Sequence, residues 1–334
     1  MNLRHFLSTI ILSLAFAAAS QVQVQAQVQA QVQAQYPGKP VHIVVPSSPG
    51  NSSDIMARLI ADKLSQAWGQ PVLVENRPGA DGRIGAEIVA KSAPDGYTLF
   101  IPNAGVITIN PALFGKMSYD PVNDFTPITQ VATIVIVVSA NPSLAANSIR
   151  ELVALAKSKP GTLHYASAGN SAGIPYLAGA LLRDKAGIDV VHVPYKANAQ
   201  AMQDLLGGHI QFMYDTLAAA LPQAKSGKLK LLAVVGSQRS PVIPEVPTLA
   251  EAGYPGTEGD AWAGLFAPGG TPKSVVEKIH ADVIAVLAQA EVRERLMALG
   301  LNVVGNKPDE FAAVIKADTA KWLAVIRANN IKAE

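Results

Sequence analysis

The chain has 334 residues, of which 49% are hydrophobic and 16% charged, and its formal net charge is +2. This length fits two lobes better than one, and the composition excludes an intrinsically disordered chain. A nearly balanced charge supplies no basic surface for nucleic acid. The sequence contains no cysteine, which excludes disulfide bonds and thiolate metal sites.

The N-terminal segment predicts export. Residues 1–19 combine a basic start at Arg4, an apolar core and small residues at Ala17 and Ala19, as in a secretory signal peptide. Residues 20–35 alternate glutamine with valine or alanine and form a low-complexity spacer. We therefore expect a periplasmic protein whose mature chain begins close to residue 35.

From residue 36 onward, β-rich runs alternate with amphipathic stretches, which predicts an α/β fold with mixed, mostly parallel sheets. Strands are predicted at 41–45, 72–75, 97–102, 134–140, 163–167, 191–195, 210–214, 229–235 and 264–267. Helices are predicted at 53–68, from 174 to the glycine at 187, and at 272–289 and 308–328. Residues 237–256 are rich in proline and glycine and predict an irregular connection.

No flexible linker separates the chain into independent domains. The sequence therefore predicts two compact lobes joined by more than one crossing, with a ligand cleft between them. We assign residues 36–138 and 240–334 to lobe 1, and residues 139–239 to lobe 2. We expect the protein to be a monomer.

Two segments repeat one arrangement, in which a strand leads through a loop of small residues into a helix. The loop after residue 45 reads PSSPGNSSD, and the loop after residue 167 reads AGNSAG. Both contain Gly-Asn-Ser. Helix N-termini present free N–H groups, and nearby hydroxyl and amide groups add donors, so each loop favours a carboxylate. Ordinary helix caps and turns are the alternative interpretation of either loop alone.

Several further segments carry a resemblance to a known family. They read YPGKP (36–40), VENRPGA (74–80), PDGYT (94–98), YDP (119–121), DFTP (124–127), PYK (194–196), PEVPT (244–248) and LFAPGGTP (265–272). In these segments the chain resembles the tripartite tricarboxylate transporter substrate-binding proteins, also called the Bug or TctC family. The resemblance extends over nearly the whole mature chain.

The resemblance implies a two-lobed periplasmic binding protein of the Venus-flytrap, type II-like class, and not an enzyme. Such a protein closes over a small mono-, di- or aromatic carboxylate and delivers it to a membrane permease of the tripartite tricarboxylate type. The loops at 47–54 and 167–173 correspond to the family's carboxylate-holding loops. This chain departs from the usual glycine-rich first loop at Asn51, Ser52 and Ser53, and has Tyr176 where a histidine is usual, so ligand identity does not carry over.

The predicted ligand-binding residues combine both loops with three further positions, and they are Ser47, Ser48, Asn51, Ser52, Ser53, Asp54, Asn103, Ser167, Ala168, Gly169, Asn170, Ser171, Tyr195 and Asp215. Asp215 corresponds to an acidic position that often faces the family's cleft. A helix N-cap is the alternative role for Asp215, and a first-turn position that complements the helix dipole is the alternative for Asp54.

An exported serine hydrolase is the alternative function, because Gly169-Asn-Ser-Ala-Gly173 also fits G-x-S-x-G with Ser171 as nucleophile. His209 and His280 are the candidates for its histidine, but no glycine-rich oxyanion loop is present. The histidines lack metal-ligand spacing, and Gly79, Gly82 and Gly85 do not form a dinucleotide motif. We therefore expect no metal and no cofactor.

Overall fold

The computed structural model describes residues 36–167, 173–195, 198–329 and 331. The predicted signal peptide and spacer lie outside the described residues, as do Ala168, Gly169, Asn170 and Ser171 of the second loop. Within the described ranges, no helix combines the length and the apolar character needed to cross a lipid bilayer.

The larger sheet, sheet 1, is built from both ends of the described chain. Its strands are β1 (Val41–Val45), β2 (Val72–Asn76), β3 (Thr98–Phe100), β4 (Phe125–Ile134), β10 (Ala261–Pro268) and β11 (Leu301–Val303). They lie in the order β11-β4-β10-β3-β1-β2. β1 is parallel to β2 and β3, whereas β10 is antiparallel to both β3 and β4.

Sheet 2 is formed by the middle of the chain. Its strands are β5 (Ile136–Ala140), β6 (His164–Ser167), β7 (Val191–His192), β8 (Phe212–Thr216) and β9 (Lys230–Val234), in the order β7-β6-β8-β5-β9. β6 is parallel to β7 and β8, whereas β5 is antiparallel to β8 and β9. The two sheets establish the predicted two-lobed α/β fold.

The prediction of mostly parallel sheets is wrong in its proportion. Among the described residues, four strand pairs are parallel and five are antiparallel. The cause lies in the strands that link the lobes. β5 enters sheet 2, and β10 re-enters sheet 1, from the edge where the neighbouring strands end, so each must run against its neighbours.

Each of the four predicted amphipathic stretches forms a helix, and the described chain contains further helices that the periodicity did not predict. They are α1 (Ser52–Trp68), α2 (Arg83–Ala90), α3 (Asn110–Phe114), α4 (Ile149–Ser158), α5 (Ile174–Ala186), α6 (Asn198–Gly207), α7 (Leu217–Lys225), α8 (Lys273–Leu287), α9 (Ala290–Ala298) and α10 (Pro308–Ala328). A 3-10 turn covers Ala80–Gly82, and a π-helical turn covers Gly105–Ile109. Gly69 ends α1 in the left-handed conformation.

Helix α10 packs against both lobes. Phe311 near its start is fully buried among aromatic residues of sheet 1, including Trp262 and Phe266. Trp322 and Ile326 near its end lie in the hydrophobic core of sheet 2. The Trp262 indole also donates to Asp318 of α10, with 2.6 Å between Nε1 and Oδ2.

The strand directions place the carboxyl ends of several strands from both sheets where the chain crosses from one sheet to the other. Only Val135 separates the end of β4 from the start of β5. β3 and β4 are both antiparallel to β10, so they run in the same direction, and β1 shares this direction because it is parallel to β3. In sheet 2, Thr216 at the end of β8 pairs with Ile136 at the start of β5. The loops after β1, β3, β6 and β8 therefore lie at the edges where the two sheets meet.

The proposed division into lobes remains a prediction, and the sheets indicate how it should be refined. The boundary after residue 138 falls inside β5, which belongs wholly to sheet 2. Val135 is a better first crossing. Between Val234 and Ala261 the described chain forms no helix or strand, as predicted for 237–256, and this segment is the second crossing.

Candidate functional site

The first half of the site is the loop between β1 and the N-terminus of α1. Asn51 caps the helix, because its Oδ1 accepts from the backbone N–H of Asp54 at 2.9 Å. The first intrahelical bond runs from Ile55 N–H to the Asn51 carbonyl. The N–H groups of Ser52 and Ser53 precede it and have no partner among the described residues, so they remain available to an anion.

Asp54 holds this loop in place. Its Oδ2 accepts from the backbone N–H of Gly50 at 2.8 Å and from Nε of Arg58 at 3.1 Å. Its Oδ1 accepts from Nδ2 of Asn76 at 2.9 Å and lies 2.9 Å from Nη2 of Arg58. Burial alone raises the pKa of Asp54, but the hydrogen bonds from Arg58, Gly50 and Asn76 outweigh it and lower the pKa overall. Because both of its oxygens are occupied, Asp54 supports the loop and does not offer a free oxygen to a ligand.

Ser47 offers the loop's buried hydroxyl. Its backbone carbonyl accepts from Nδ2 of Asn76 at 3.0 Å, which fixes the residue. Its Oγ is shielded from solvent and has no hydrogen-bond partner within the described part of the chain. Ser48 is exposed, whereas Ser53 is buried. A hydroxyl left free in this way can donate to a ligand that enters the loop.

Asn103 lies beside this loop but is less engaged. It follows β3 directly, at the same edge of sheet 1, and its backbone pairs with Ala263 of β10. Its side chain is exposed, and Oδ1 accepts only a long bond of 3.4 Å from the N–H of Val106. The amide can therefore turn toward the interlobe edge.

The second half of the site lies at the ends of β6, β7 and β8. Ser167 is the last residue of β6, is nearly buried, and has its Oγ 3.0 Å from Nε2 of His192. Tyr195 follows β7 and donates its hydroxyl to Oδ2 of Asp204 at 2.6 Å. Burial and the Asp204 carboxylate raise the pKa of Tyr195 to about 12. The proton of the Tyr195 hydroxyl is thus committed to Asp204, so this hydroxyl has no proton left to donate to a carboxylate.

Asp215 is the most buried charged group of this half, with 0% of its surface exposed. Its Oδ1 accepts from the backbone N–H of Thr216 at 2.6 Å and from Nδ2 of Asn198 at 3.0 Å. Burial raises the pKa of Asp215 to about 6, against the lowering effect of Thr216 and Asn198. The helix α7 takes Thr216 as its N-cap residue, so Asp215 is the penultimate residue of β8 and does not cap the helix.

The structure therefore places the described predicted residues in two groups, one at the edge of each sheet where the chain crosses between the sheets. Those of the first loop surround the start of α1 with Asn103 beside them, and Ser167, Tyr195 and Asp215 lie at the ends of adjacent strands of sheet 2. Sequence reasoning missed Arg58, Asn76 and Asn198. Arg58 lies one helical turn after Asp54, a spacing that signals an ion pair, but nothing local marks the two asparagines.

The structure places both predicted histidines of the hydrolase alternative away from the end of β6. Ser171 lies outside the described residues, but Ser167 before it is at the carboxyl end of β6. His209 precedes β8 at the opposite edge of sheet 2, because β8 is parallel to β6. His280 lies on α8 in lobe 1, with its Nε2 3.1 Å from the carbonyl oxygen of Asn306. Neither predicted histidine lies beside the carboxyl end of β6.

The described residues also contain no group of three or more side chains suited to hold a metal ion. The glycines of the 79–85 segment serve turns and packing. Gly79 and Gly82 have positive φ angles of 119° and 81°, and a Cβ on Gly85 would lie 2.9 Å from Cβ of Pro46. The segment thus packs against the base of the first loop.

Comparison with known proteins identifies the family. Residues 56–331 match the family described as the tripartite tricarboxylate transporter family receptor, TctC. The chain belongs to this receptor family. Its members are periplasmic binding proteins, so the TctC receptor described here is a binding protein and not an enzyme.

Three solved structures are similar to this TctC receptor over most of its length. Rpa4515 of R. palustris with adipate is 33% identical, with a TM-score of 0.83 over 89% of this chain and 99% of its own. The periplasmic binding protein BugD is 35% identical, with a TM-score of 0.80 over 89% and 99%. MatC from Rhodopseudomonas palustris with bound malate is 35% identical, with a TM-score of 0.78 over 87% and 99%.

Proposed function

We propose that this receptor captures a small carboxylate in the periplasm, in the cleft between its lobes, and delivers it to a membrane permease of the tripartite tricarboxylate type. The observation that carries the proposal is the set of unpaired donors in the first loop. The N–H groups of Ser52 and Ser53 and the buried hydroxyl of Ser47 have no partner among the described residues. The structures similar to this chain with adipate and with malate support the same ligand class.

Neutral donors suffice to hold the carboxylate. A helix N-terminus contributes up to about 2 kcal/mol to anion binding when it is partly buried. Arg58, the basic residue closest in sequence to this loop, is held by Asp54 at 2.9 Å and supports the loop. The ligand's negative charge is therefore met by backbone dipoles and hydroxyl groups, which bind a carboxylate without fixing the rest of the ligand.

We assign direct contacts to Ser47, Ser48, Ser52 and Ser53 on lobe 1, and to Ser167 and Asp215 on lobe 2. Asn51 and Asp54 support the first loop. Asn103 and the Tyr195 ring complete the walls. Ala168, Gly169, Asn170 and Ser171 remain predicted contacts. Export through residues 1–19 and a monomeric state are likewise parts of the proposal.

A panel of carboxylates added to the processed protein tests the proposal. A ligand at 100 times its Kd stabilises the folded state by about 2.7 kcal/mol, which a thermal unfolding assay detects readily. We expect stabilisation by at least one mono-, di- or aromatic carboxylate. If no acid in the panel changes the melting temperature of the processed protein, carboxylate capture is refuted.

The Ser47→Ala variant then locates the site. Its Oγ bonds to no described residue, so the unliganded variant should be as stable as the original protein. Loss of a hydrogen bond to a charged ligand weakens binding by about 1.5 to 3 kcal/mol, at least about tenfold. Ser148→Ala is the matched control, because Ser148 caps α4 through the Glu151 N–H at 3.2 Å, away from the cleft. The control should lose stability but keep its carboxylate affinity.

A further inference from the structure

Two buried hydrogen-bond acceptor atoms, one at the end of β8 and one at the start of α6, receive no hydrogen bond from the described residues. Oδ2 of Asp215 and Oδ1 of Asn198 are both shielded from solvent, and neither has a hydrogen-bond partner among the described residues. The two side chains are joined to each other through Nδ2 of Asn198 and Oδ1 of Asp215, 3.0 Å apart. Two adjacent side chains thus each leave one acceptor unused.

The orientation of the Asn198 amide follows from its neighbour. Its Nδ2 must face the Asp215 carboxylate, because the opposite orientation would set an amide oxygen against a carboxylate oxygen. Oδ1 of Asn198 therefore points away from Asp215 Oδ1 and can only accept. Within the described part of the chain Asp215 forms no ion pair, so no described basic side chain neutralises its second oxygen.

Buried acceptors of this kind are normally paired, because an unpaired one loses its hydrogen bonds to water on folding without replacement. The position of the pair indicates what supplies the missing donors. Asp215 pairs with Val137 of β5, two residues from the crossing at Val135, and so lies at the interlobe edge of sheet 2. The first loop at the facing edge presents the opposite chemistry, with free N–H and hydroxyl donors.

We propose that Asp215 and Asn198 receive a hydrogen-bond donor of the ligand, so that the receptor selects carboxylates that also carry a hydroxyl, ammonium or ring N–H group. This inference rests on the proposed function, in which the first loop holds the carboxylate. A plain dicarboxylate fits less well, because its second carboxylate would be repelled by the Asp215 carboxylate. It also has no donor to offer to Oδ2 of Asp215 or Oδ1 of Asn198. A donor-bearing acid satisfies both halves of the cleft.

Calorimetric titration with acids of matched carbon skeleton tests the selection. The sets are propionate with lactate, succinate with malate and aspartate, and adipate with 2-aminoadipate, each at pH 7.5. Within any skeleton that binds, we expect the donor-bearing acid to bind at least about tenfold more tightly, the difference produced by one hydrogen bond to a charged group.

Asp215→Asn is the decisive variant, because it keeps the size of the side chain and replaces the free acceptor by an amide donor. It should remove or reverse the preference for donor-bearing acids, whereas Ser47→Ala should weaken all acids of one skeleton by the same factor. Asn198→Leu removes the second acceptor and serves as an independent variant if Asp215→Asn does not fold. Unfolding curves of the unliganded variants establish that they are folded.

The outcomes separate this inference from the proposed function. If carboxylates bind with no preference for a donor, or the preference survives in both variants, the inference is overturned and carboxylate capture stands. If propylamine or ethanolamine binds in an Asp215-dependent manner while no acid binds, carboxylate capture falls and the acceptor site stands. If no member of either set binds, both are refuted.

Discussion

The buried carboxylate of Asp215 should make the unliganded protein less stable as pH rises. Its pKa is raised from 3.8 to about 6 because burial disfavours the charged form. The stability that comes from keeping this group neutral is fully present below pH 4 and is lost as pH rises through 6. At 1.36 kcal/mol per pH unit, the difference between the two pKa values corresponds to about 3 kcal/mol by pH 7.5.

Asp215→Asn removes this contribution, since the amide does not titrate. Urea unfolding of both proteins between pH 4 and pH 7.5 isolates it, because all other titrating groups are shared and cancel in the difference. We expect the free energy of unfolding of the original protein, relative to the variant, to fall by about 2.4 kcal/mol over this range, because pH 4 already lies slightly above the ordinary pKa of 3.8. A difference between the two proteins that is constant with pH would show that Asp215 is solvated, and would refute the reasoning from its burial.

Two further predictions concern the loop and the packing of lobe 1. Asp54→Asn should lower stability by about 1 to 3 kcal/mol at pH 7 through loss of the charged bonds to Arg58. Because the pKa of Asp54 is lowered, this deficit should shrink as pH falls below 3.8 in urea unfolding, and an equal deficit at pH 3 and pH 7 would contradict the ion pair. Gly269→Ala should cost about 3 kcal/mol, since its Cβ would lie 2.0 Å from the carbonyl oxygen of Asn123. Gly50→Ala meets nothing within 4 Å and should lose only about 1 to 2 kcal/mol through its φ of +85°, so equal melting-temperature shifts for the two glycine variants would contradict the packing.

Periodicity identified the strands that are apolar on both faces, and β1 was predicted at its observed bounds. It missed β4 because that strand begins with a Phe-Thr-Pro-Ile-Thr run, in which a proline and two threonines obscure the pattern. Periodicity also assigned residues 134–140 to one strand, although the chain changes sheets at Val135. A run of apolar residues does not reveal where a strand leaves one sheet for another, because both sheets bury it equally well.

Much of the first loop could be predicted, because its hydrogen bonds are local in sequence. Asn51 reaches Asp54 and Asp54 reaches Arg58 within one helical turn each. The contact from Asn76 to Asp54 spans 22 positions and depends on β2 lying beside β1, which the sequence pattern does not specify. The pairing of Asn198 with Asp215 is equally non-local. Polar side chains of this kind become recognisable only once the strand order is known.

Helix α10 has a consequence for the closure that we expect of the two lobes. The lobes are joined by the chain at Val135 and again through the segment between Val234 and Ala261, and α10 adds a third attachment through Phe311 on one lobe and Trp322 on the other. Two lobes joined at a single point could rotate in many directions relative to each other, whereas three attachments restrict the rotation to few directions. We therefore expect the lobes to approach along a nearly fixed path, so that a bound solute meets the same residues of the opposite lobe at each closure.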